Sequence, residues 1–301
     1  MKNKTIIIFL SFLILSCNSE DFSPVGNYEK KVVTYLILDN RINNQIIKVQ
    51  SDYLVNDQNT SKKINNLNVY LINDNNKYTF SDTIIPDSKN YSYFVLRNFI
   101  PIRGAKYSLY ISGDEVPTAT SEIYVPPKSD VTLYYDSDKI QLTYYRNRYV
   151  KGYLHHLYVD FYIKDDKNNV IKNGRVEVPI GIEILNDGKD TIKYYPTLTK
   201  DVSFNYSYSN LFTVLMENKP KDDKYKLVVK KSVATVLSLE ENLYNYYVTV
   251  KGFSDPYSVR LDQINYSNIK NGYGIFGAIT IDSTIERIPP FIIYGFGFEP
   301  E

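Results

Sequence analysis

The sequence predicts a mainly β fold: two β-sandwich-like halves of antiparallel strands, with a minor helical insertion, one helix near residues 238–251. Three observations predict it. Short β-branched and aromatic runs alternate with Asn, Asp, Gly and Pro clusters at a spacing of about 8–12 residues, the rhythm of antiparallel sandwiches. Apolar and polar side chains alternate most clearly over Tyr153–Lys164, the period of a strand with one buried face. A length of 301 residues, at roughly 150 residues per domain, makes room for two such units.

In the first half, strands are expected over Val32–Leu38, Gln45–Ser51, Leu67–Ile72, Lys77–Phe80, Tyr91–Leu96, Lys106–Ile111 and Thr118–Val125. Asn73–Asn76 fits a hairpin turn, because Asn and Asp tolerate positive φ and bond their own backbone. Pro126-Pro127 cannot donate to a ladder and marks the expected division between a domain over 28–127 and another over 128–301. Lys139–Tyr145 opens the second half, followed by Tyr153–Lys164. There Tyr153, His155, Leu157, Val159, Phe161 and Ile163 share one face, and His156, Tyr158, Asp160, Tyr162 and Lys164 the other. Val176–Leu185 and Thr191–Tyr195 pair around Asp187-Gly188, a strong hairpin signal, and Leu227–Val236 forms a further strand. Ser238-Leu239-Glu240-Glu241 matches a capping box, so a helix is expected from there, with Leu239, Leu243, Tyr246 or Tyr247 and Val250 on one face and Gly252 as its stop; a strand through Tyr246–Val250, where β-formers crowd, is the alternative. Strands return at Ser258–Tyr266 and Gly274–Asp282.

Composition narrows the function classes. Lys+Arg 35 against Asp+Glu 34 gives a net charge of +1, and 43% hydrophobic with 23% charged residues is a globular balance, so broad nucleic-acid binding and disorder are excluded as readings. Tyr 30, Trp 0, Cys 1 and His 2 are the unusual counts.

The amino terminus carries the clearest signal. Lys2 and Lys4 precede the apolar run Ile6–Leu15, which falls well short of the ~20 residues that cross a bilayer, so residues 1–16 form a signal peptide and not a membrane span. Leu13-Ile14-Leu15-Ser16-Cys17 resembles the bacterial lipobox, which implies cleavage before Cys17 and acylation of its sulfur and new amino group. The placement of the only cysteine at this point, with no disulfide partner, fits that chemistry. Several acyl chains anchor stably, at about 0.8 kcal/mol per buried methylene. Asn18-Ser19-Glu20-Asp21 resembles the surface-export signal of Bacteroidota lipoproteins, with Ser19, Glu20 and Asp21 as its residues; a solvated acidic tether on a periplasm-facing protein is the alternative. Residues 17–27 form the lipidated tether.

Motifs that look catalytic weaken in context. Gly272-Tyr273-Gly274-Ile275-Phe276-Gly277 spells the dinucleotide fingerprint but runs into the strand-like Ala278-Ile279-Thr280-Ile281 with no βαβ unit before it. Gly272, Gly274, Phe276 and Gly277 are expected to be structural, a turn and bulge where other backbone approaches closely. Adjacent strand residues face opposite ways, so His155 and His156 do not readily share a metal, and a packed core histidine is the expected role of His155. The acidic pairs Asp136/Asp138, Asp165/Asp166 and Asp222/Asp223 sit beside Lys, Ser or Asn, as solvated turn residues do. Tyrosine pairs such as Tyr134-Tyr135, Tyr144-Tyr145, Tyr194-Tyr195 and Tyr246-Tyr247 suit either contact with ligand or plain strand packing. No catalytic residue, metal ligand or cofactor is expected.

Taken together, the lipobox, Tyr28-Glu29-Lys30-Lys31-Val32-Val33, the segment 239–247, Phe253-Ser254-Asp255-Pro256 and the stretch from Tyr266 to Ala278 with its Gly274-Ile275-Phe276-Gly277-Ala278 ending resemble a family of Bacteroidota outer-membrane lipoproteins carrying a domain of unknown function. The resemblance implies a non-catalytic lipoprotein, often encoded beside TonB-dependent transporters, with no catalytic residues to carry over. The expectation is therefore an accessory or substrate-capture protein of such a transporter, anchored in the outer membrane through its lipid and facing the cell surface. A structural or adhesive surface protein is the alternative, and a surface hydrolase a third.

Overall fold

The computed structural model describes residues 29–52, 64, 66–84, 91–185, 190–249 and 266–301. The leader, Cys17, Ser19, Glu20 and Asp21 lie outside them, as do Asp187-Gly188, Val250, Gly252, Phe253-Ser254-Asp255-Pro256 and all of the expected Ser258–Tyr266 strand but its last residue. Lys31–Glu301 forms one unit.

Eight strands precede Pro126-Pro127: β1 (Val32–Asp39), β2 (Asn44–Ser51), β3 (Asn68–Asn73), β4 (Asn76–Thr79), β5 (Ser81–Thr83), β6 (Ser92–Arg97), β7 (Lys106–Gly113) and β8 (Val116–Tyr124). After it come β9 (Val131–Tyr135), β10 (Lys139–Tyr144), β11 (Val150–Lys164), β12 (Val170–Glu177), β13 (Gly181–Leu185), β14 (Asp190–Tyr194) and β15 (Ser203–Ser207). Helix α1 (Tyr208–Asn218), β16 (Lys226–Glu240), α2 (Glu241–Thr249), β17 (Gly272–Glu286), α3 (Pro290–Gly295) and β18 (Glu299–Pro300) complete the described chain. The fold is mainly β, as the sequence predicts.

A nine-stranded sheet runs in the order β12-β11-β16-β17-β1-β2-β6-β5, with β18 beside β16. Its seam is the pair β1 and β17, parallel over eight residues from Val32 opposite Gly272 to Asp39 opposite Ile279. Both strand sets flanking Pro126-Pro127 thus enter one sheet.

On the β1 side this sheet packs against the four-stranded sheet β4-β3-β7-β8. Leu36, Leu38, Ile47 and Val49 face Val69, Leu71, Leu109, Ile111 and Ile123 in one core. Alternation dictates this, since every second side chain of β3 and β7 is buried. The hairpin turn between Asn73 and Asn76 holds Asp74 at φ 50°, which Asp tolerates.

On the β11 side, Tyr153, Leu157, Val159 and Phe161 enter a second core with Val229, Ala234 and Val236 of β16, the small sheet β15-β10-β9, α1 and α3. These are the dry-face residues of the expected alternation, and His155 is buried among them. A third cluster lies where α2 sets Leu243, Tyr246 and Tyr247 against Leu237, Leu239, Ile275 and Ile279. β17 serves both sides, because Phe276 and Ala278 enter the first core while Ile275 and Ile279 enter the third.

Three expectations need correction. The helix starts at Glu241 and not at a Ser238 cap: β16 continues through Ser238, Leu239 and Glu240, paired with Tyr153, Gly152 and Val150. The Ser238 hydroxyl is buried against that of Ser129 at 3.2 Å, and Glu240 caps the helix in its place. Val176–Leu185 is two strands and not one. Pro179 has no N–H to give a ladder, so β12 stops at Glu177 and β13 begins at Gly181. Helices α1 and α3 were not expected. In α1 the Ser207 hydroxyl accepts from the Ser209 amide at 3.1 Å, and Leu211, Val214 and Leu215 form a short buried stripe.

Candidate functional site

The candidate site is built from the segment leading into β11. In Tyr145-Arg146-Asn147-Arg148-Tyr149, Asn147 does the organising. Its amide donates to Tyr153 Oη (3.3 Å), its side-chain oxygen accepts from the Tyr149 amide (3.0 Å), and its carbonyl accepts from the Val150 amide (3.1 Å). Such local bonding is what Asn offers a turn. The result presents Arg146 and Arg148, two residues apart, to solvent.

Neighbouring elements fix both guanidinium groups. Arg146 Nη2 donates to the carbonyl of Lys200 at 3.1 Å. Lys200 is itself held beside β11 by Thr199, whose backbone exchanges hydrogen bonds with Tyr153 at 2.8 and 2.9 Å. The Arg148 guanidinium lies 4.5 Å from the Tyr149 ring centre and donates to its hydroxyl. Tyr149 stacks on Tyr124 of β8, with ring centres 4.5 Å apart and planes 14° from parallel. Lys200 Nζ sits 5.4 Å from the centre of the Tyr244 ring, a cation–π distance. That ring occupies the space beside Gly152, where a Cβ would come within 2.0 Å of it.

Two adjoining cavities result, sharing Arg148, Val150 and Lys151. The larger, about 490 Å³, is lined by Arg146, Asn147, Arg148, Val150, Lys151, Tyr153 and Lys200. The smaller, about 160 Å³, is bounded by Glu122 and Tyr124 of β8, Tyr149, and Glu240, Glu241 and Asn242 at the β16–α2 junction. Both halves of the strand order therefore contribute walls to the smaller one.

Glu240 is 3% exposed and accepts from the amides of Leu243 and Asn242, each at 2.8 Å. Burial raises its carboxyl to about 7, against the pull of those amides and of the Asn242 side chain; the nearby Glu241 charge adds to the rise.

The sequence-predicted site residues fall elsewhere. Gly272, Gly274, Phe276 and Gly277 lie in β17 against β1. Gly274 has φ 108° and its Cβ would stand 1.9 Å from Thr34 O, so only glycine fits that approach. A Cβ on Gly277 would meet Leu243 of α2 at 2.9 Å. Phe276 is held by Asn268, which accepts its amide (2.9 Å) and donates to its carbonyl (2.7 Å).

His155 is buried, with Nδ1 2.7 Å from Tyr206 Oη and its ring 3.5 Å from that of Phe204. Burial, helped by the charge of His156, pushes it down to about 3, so it is neutral at pH 7. His156 points away and meets Glu177 at 2.5 Å. Asp165 and Asp222 accept backbone amides within their own turns, from Lys167 and Asn169 and from Lys224. Among the described residues no three His, Cys, Asp or Glu converge as a metal site, and no helix is long and apolar enough to cross a membrane.

Sequence reasoning missed Arg146, Arg148, Lys151, Lys200 and Glu240. The available signal was the pattern Tyr-Arg-Asn-Arg-Tyr, cations interleaved with aromatics around a turn former.

No family model and no curated protein matches this chain. Among solved structures it is similar to domains A168–A170 of titin, at 9% identity and a TM-score of 0.19. That alignment covers 85% of this chain and 66% of the titin chain, just under two thirds of its length.

Proposed function

We propose that this protein is a non-catalytic, lipid-anchored lipoprotein of the outer membrane that captures a ligand at the cell surface for a TonB-dependent transporter. The observation that carries the reading is the position of the only cysteine, Cys17, directly behind an apolar run and a lipobox-like Leu-Ile-Leu-Ser. The acidic Glu20-Asp21 that follows supports display on the outer face. The open cavity beside β11, walled by cations and tyrosine, supports the capture role, since its volume falls within the ~300–1,000 Å³ usual for ligand sites.

Metabolic labelling with a palmitate analogue, followed by membrane fractionation, tests the anchor. The native chain takes up label and sediments with outer membranes; Cys17→Ala loses both. Label-free, membrane-bound native protein would contradict the reading. Co-purification from mildly solubilised membranes tests the transporter, and consistent recovery as a lone lipoprotein would count against it.

A structural or adhesive surface protein is a second reading. It is favoured by the β13–β14 hairpin, where Ile184, Ile192 and Tyr194 are exposed. Loss of cell attachment on deletion, with nutrient uptake unchanged, would select it.

A further inference from the structure

We propose that the 490 Å³ cavity beside β11 binds a small ligand bearing at least two oxyanion groups, carboxylate, sulfate or phosphate. The inference deepens the capture reading and rests on it for its biological setting, but the binding itself follows from the cavity.

Four of the seven lining residues are cations, Arg146, Arg148, Lys151 and Lys200, in a chain whose overall charge is only +1. None of the lining residues is acidic. Among the described residues, Lys151 alone of the four has a carboxylate partner, Glu241 at 3.2 Å, which stands outside this cavity. Among the described residues the other three positive charges have no carboxylate partner, and they line one concave surface, where like charges raise the local concentration of anions.

Their geometry is prepared for such a ligand. A guanidinium has five N–H donors in a planar fork matched to oxyanions. The hydrogen bonds described for Arg146 and Arg148 engage one nitrogen of each, to Lys200 O and Tyr149 Oη, and orient the fork while leaving donors free. Lys200 is positioned over Tyr244 and anchored through Thr199. Arg146, Arg148 and Lys200 line the same cavity on separate supports, so two oxyanions on one molecule can be met by different cations, which favours a doubly charged ligand over a single ion. Tyr153 and Asn147 in the lining add polar and ring surface without charge. The volume suits a ligand of about disaccharide size.

Isothermal titration of the full-length protein in non-ionic detergent tests the proposal. The probes are digalacturonate, a disulfated disaccharide and pyrophosphate, with cellobiose as the neutral control. At least one acidic probe binds saturably, cellobiose does not, and affinity falls about tenfold or more between 50 and 500 mM salt because exposed charges are screened. Whichever acidic probe binds tightest assigns the oxyanion. The double variant Arg146→Gln/Arg148→Gln, with its thermal midpoint near that of the native chain, binds about tenfold more weakly or worse. Glu241→Gln, which frees Lys151, binds several-fold more tightly. The proposal is overturned if no acidic probe binds, if cellobiose binds equally well, or if the double variant keeps native affinity. Since the titration needs neither lipid nor transporter, its failure is separable from failure of the capture reading, which Cys17→Ala and co-purification test.

Discussion

The halves on either side of Pro126-Pro127 solve the same packing problem differently. The first is two sheets face to face around one core. Its buried Gln45 spends its amide on backbone groups, accepting from the Asp39 amide and donating to the carbonyls of Asp39 and Ile42. The second covers the same nine-stranded sheet with small sheets and helices, and buries His155, Tyr144 and Tyr206 within or beside its core. Burial drives the Tyr144 and Tyr206 phenols far upward and His155 downward, so all three are neutral. The difference teaches where function has room. A uniform sandwich closes its surface, whereas a patchwork leaves joints, and the cationic cavity opens at one of them.

The comparison breaks first at the seam. Gly274→Ala places a Cβ at Thr34 O in the β1–β17 pair and should cost about 5 kcal/mol or prevent folding, by equilibrium denaturation, because backbone and not a flexible side chain must yield. A loss below about 1 kcal/mol would show that the seam can slide.

Acid should act through the second half. His155 is held at about 3 against an ordinary 6.5, so the unfolded chain binds the extra proton in between. Its contribution is fully present above pH 6.5 and is lost as pH falls toward 3, on the order of 5 kcal/mol. His155→Phe should flatten that limb of the stability–pH curve; an unchanged limb assigns the acid sensitivity elsewhere.

Glu240 works in the opposite sense. Its carboxyl is raised from 4.5 to about 7, so the folded chain holds the extra proton. That contribution is full below pH 4.5 and is lost as pH rises to about 7, on the order of 3 kcal/mol. The two groups together predict a stability maximum in mildly acidic solution, and Glu240→Gln should remove the decline on its alkaline side.

Smaller still is the tie between loop and seam. Arg103, between β6 and β7, pairs with buried Asp282 and donates to Ile281 O at 2.9 Å. Arg103→Ala leaves the carboxylate with the Ser129 amide at 2.8 Å and should cost about 2 kcal/mol, visible as a lowered denaturation midpoint.

Legibility followed the same division. β7 and β11 were readable because one face is buried and period two survives in the sequence, and β1 and β3 because they are short β-branched and aromatic runs. The β1–β17 seam was not, since parallel pairing of the first strand with one more than 230 residues later leaves no local trace. At Ser238 a valid capping motif lost to tertiary pairing, because β16 gains more ladder from β11 than a helix turn would supply. The cavity escaped notice because Lys200 is brought to Arg146 by the Thr199–Tyr153 bridge, a pairing of residues far apart in the sequence.

Hydrogen exchange in increasing denaturant, followed for peptides over Val32–Asp39 and Val150–Lys164, tests most directly whether two cores share one sheet. Both segments should lose protection together, in a single cooperative opening, and Gly274→Ala should advance both. Earlier opening of Val32–Asp39, with β11 still protected, would contradict it.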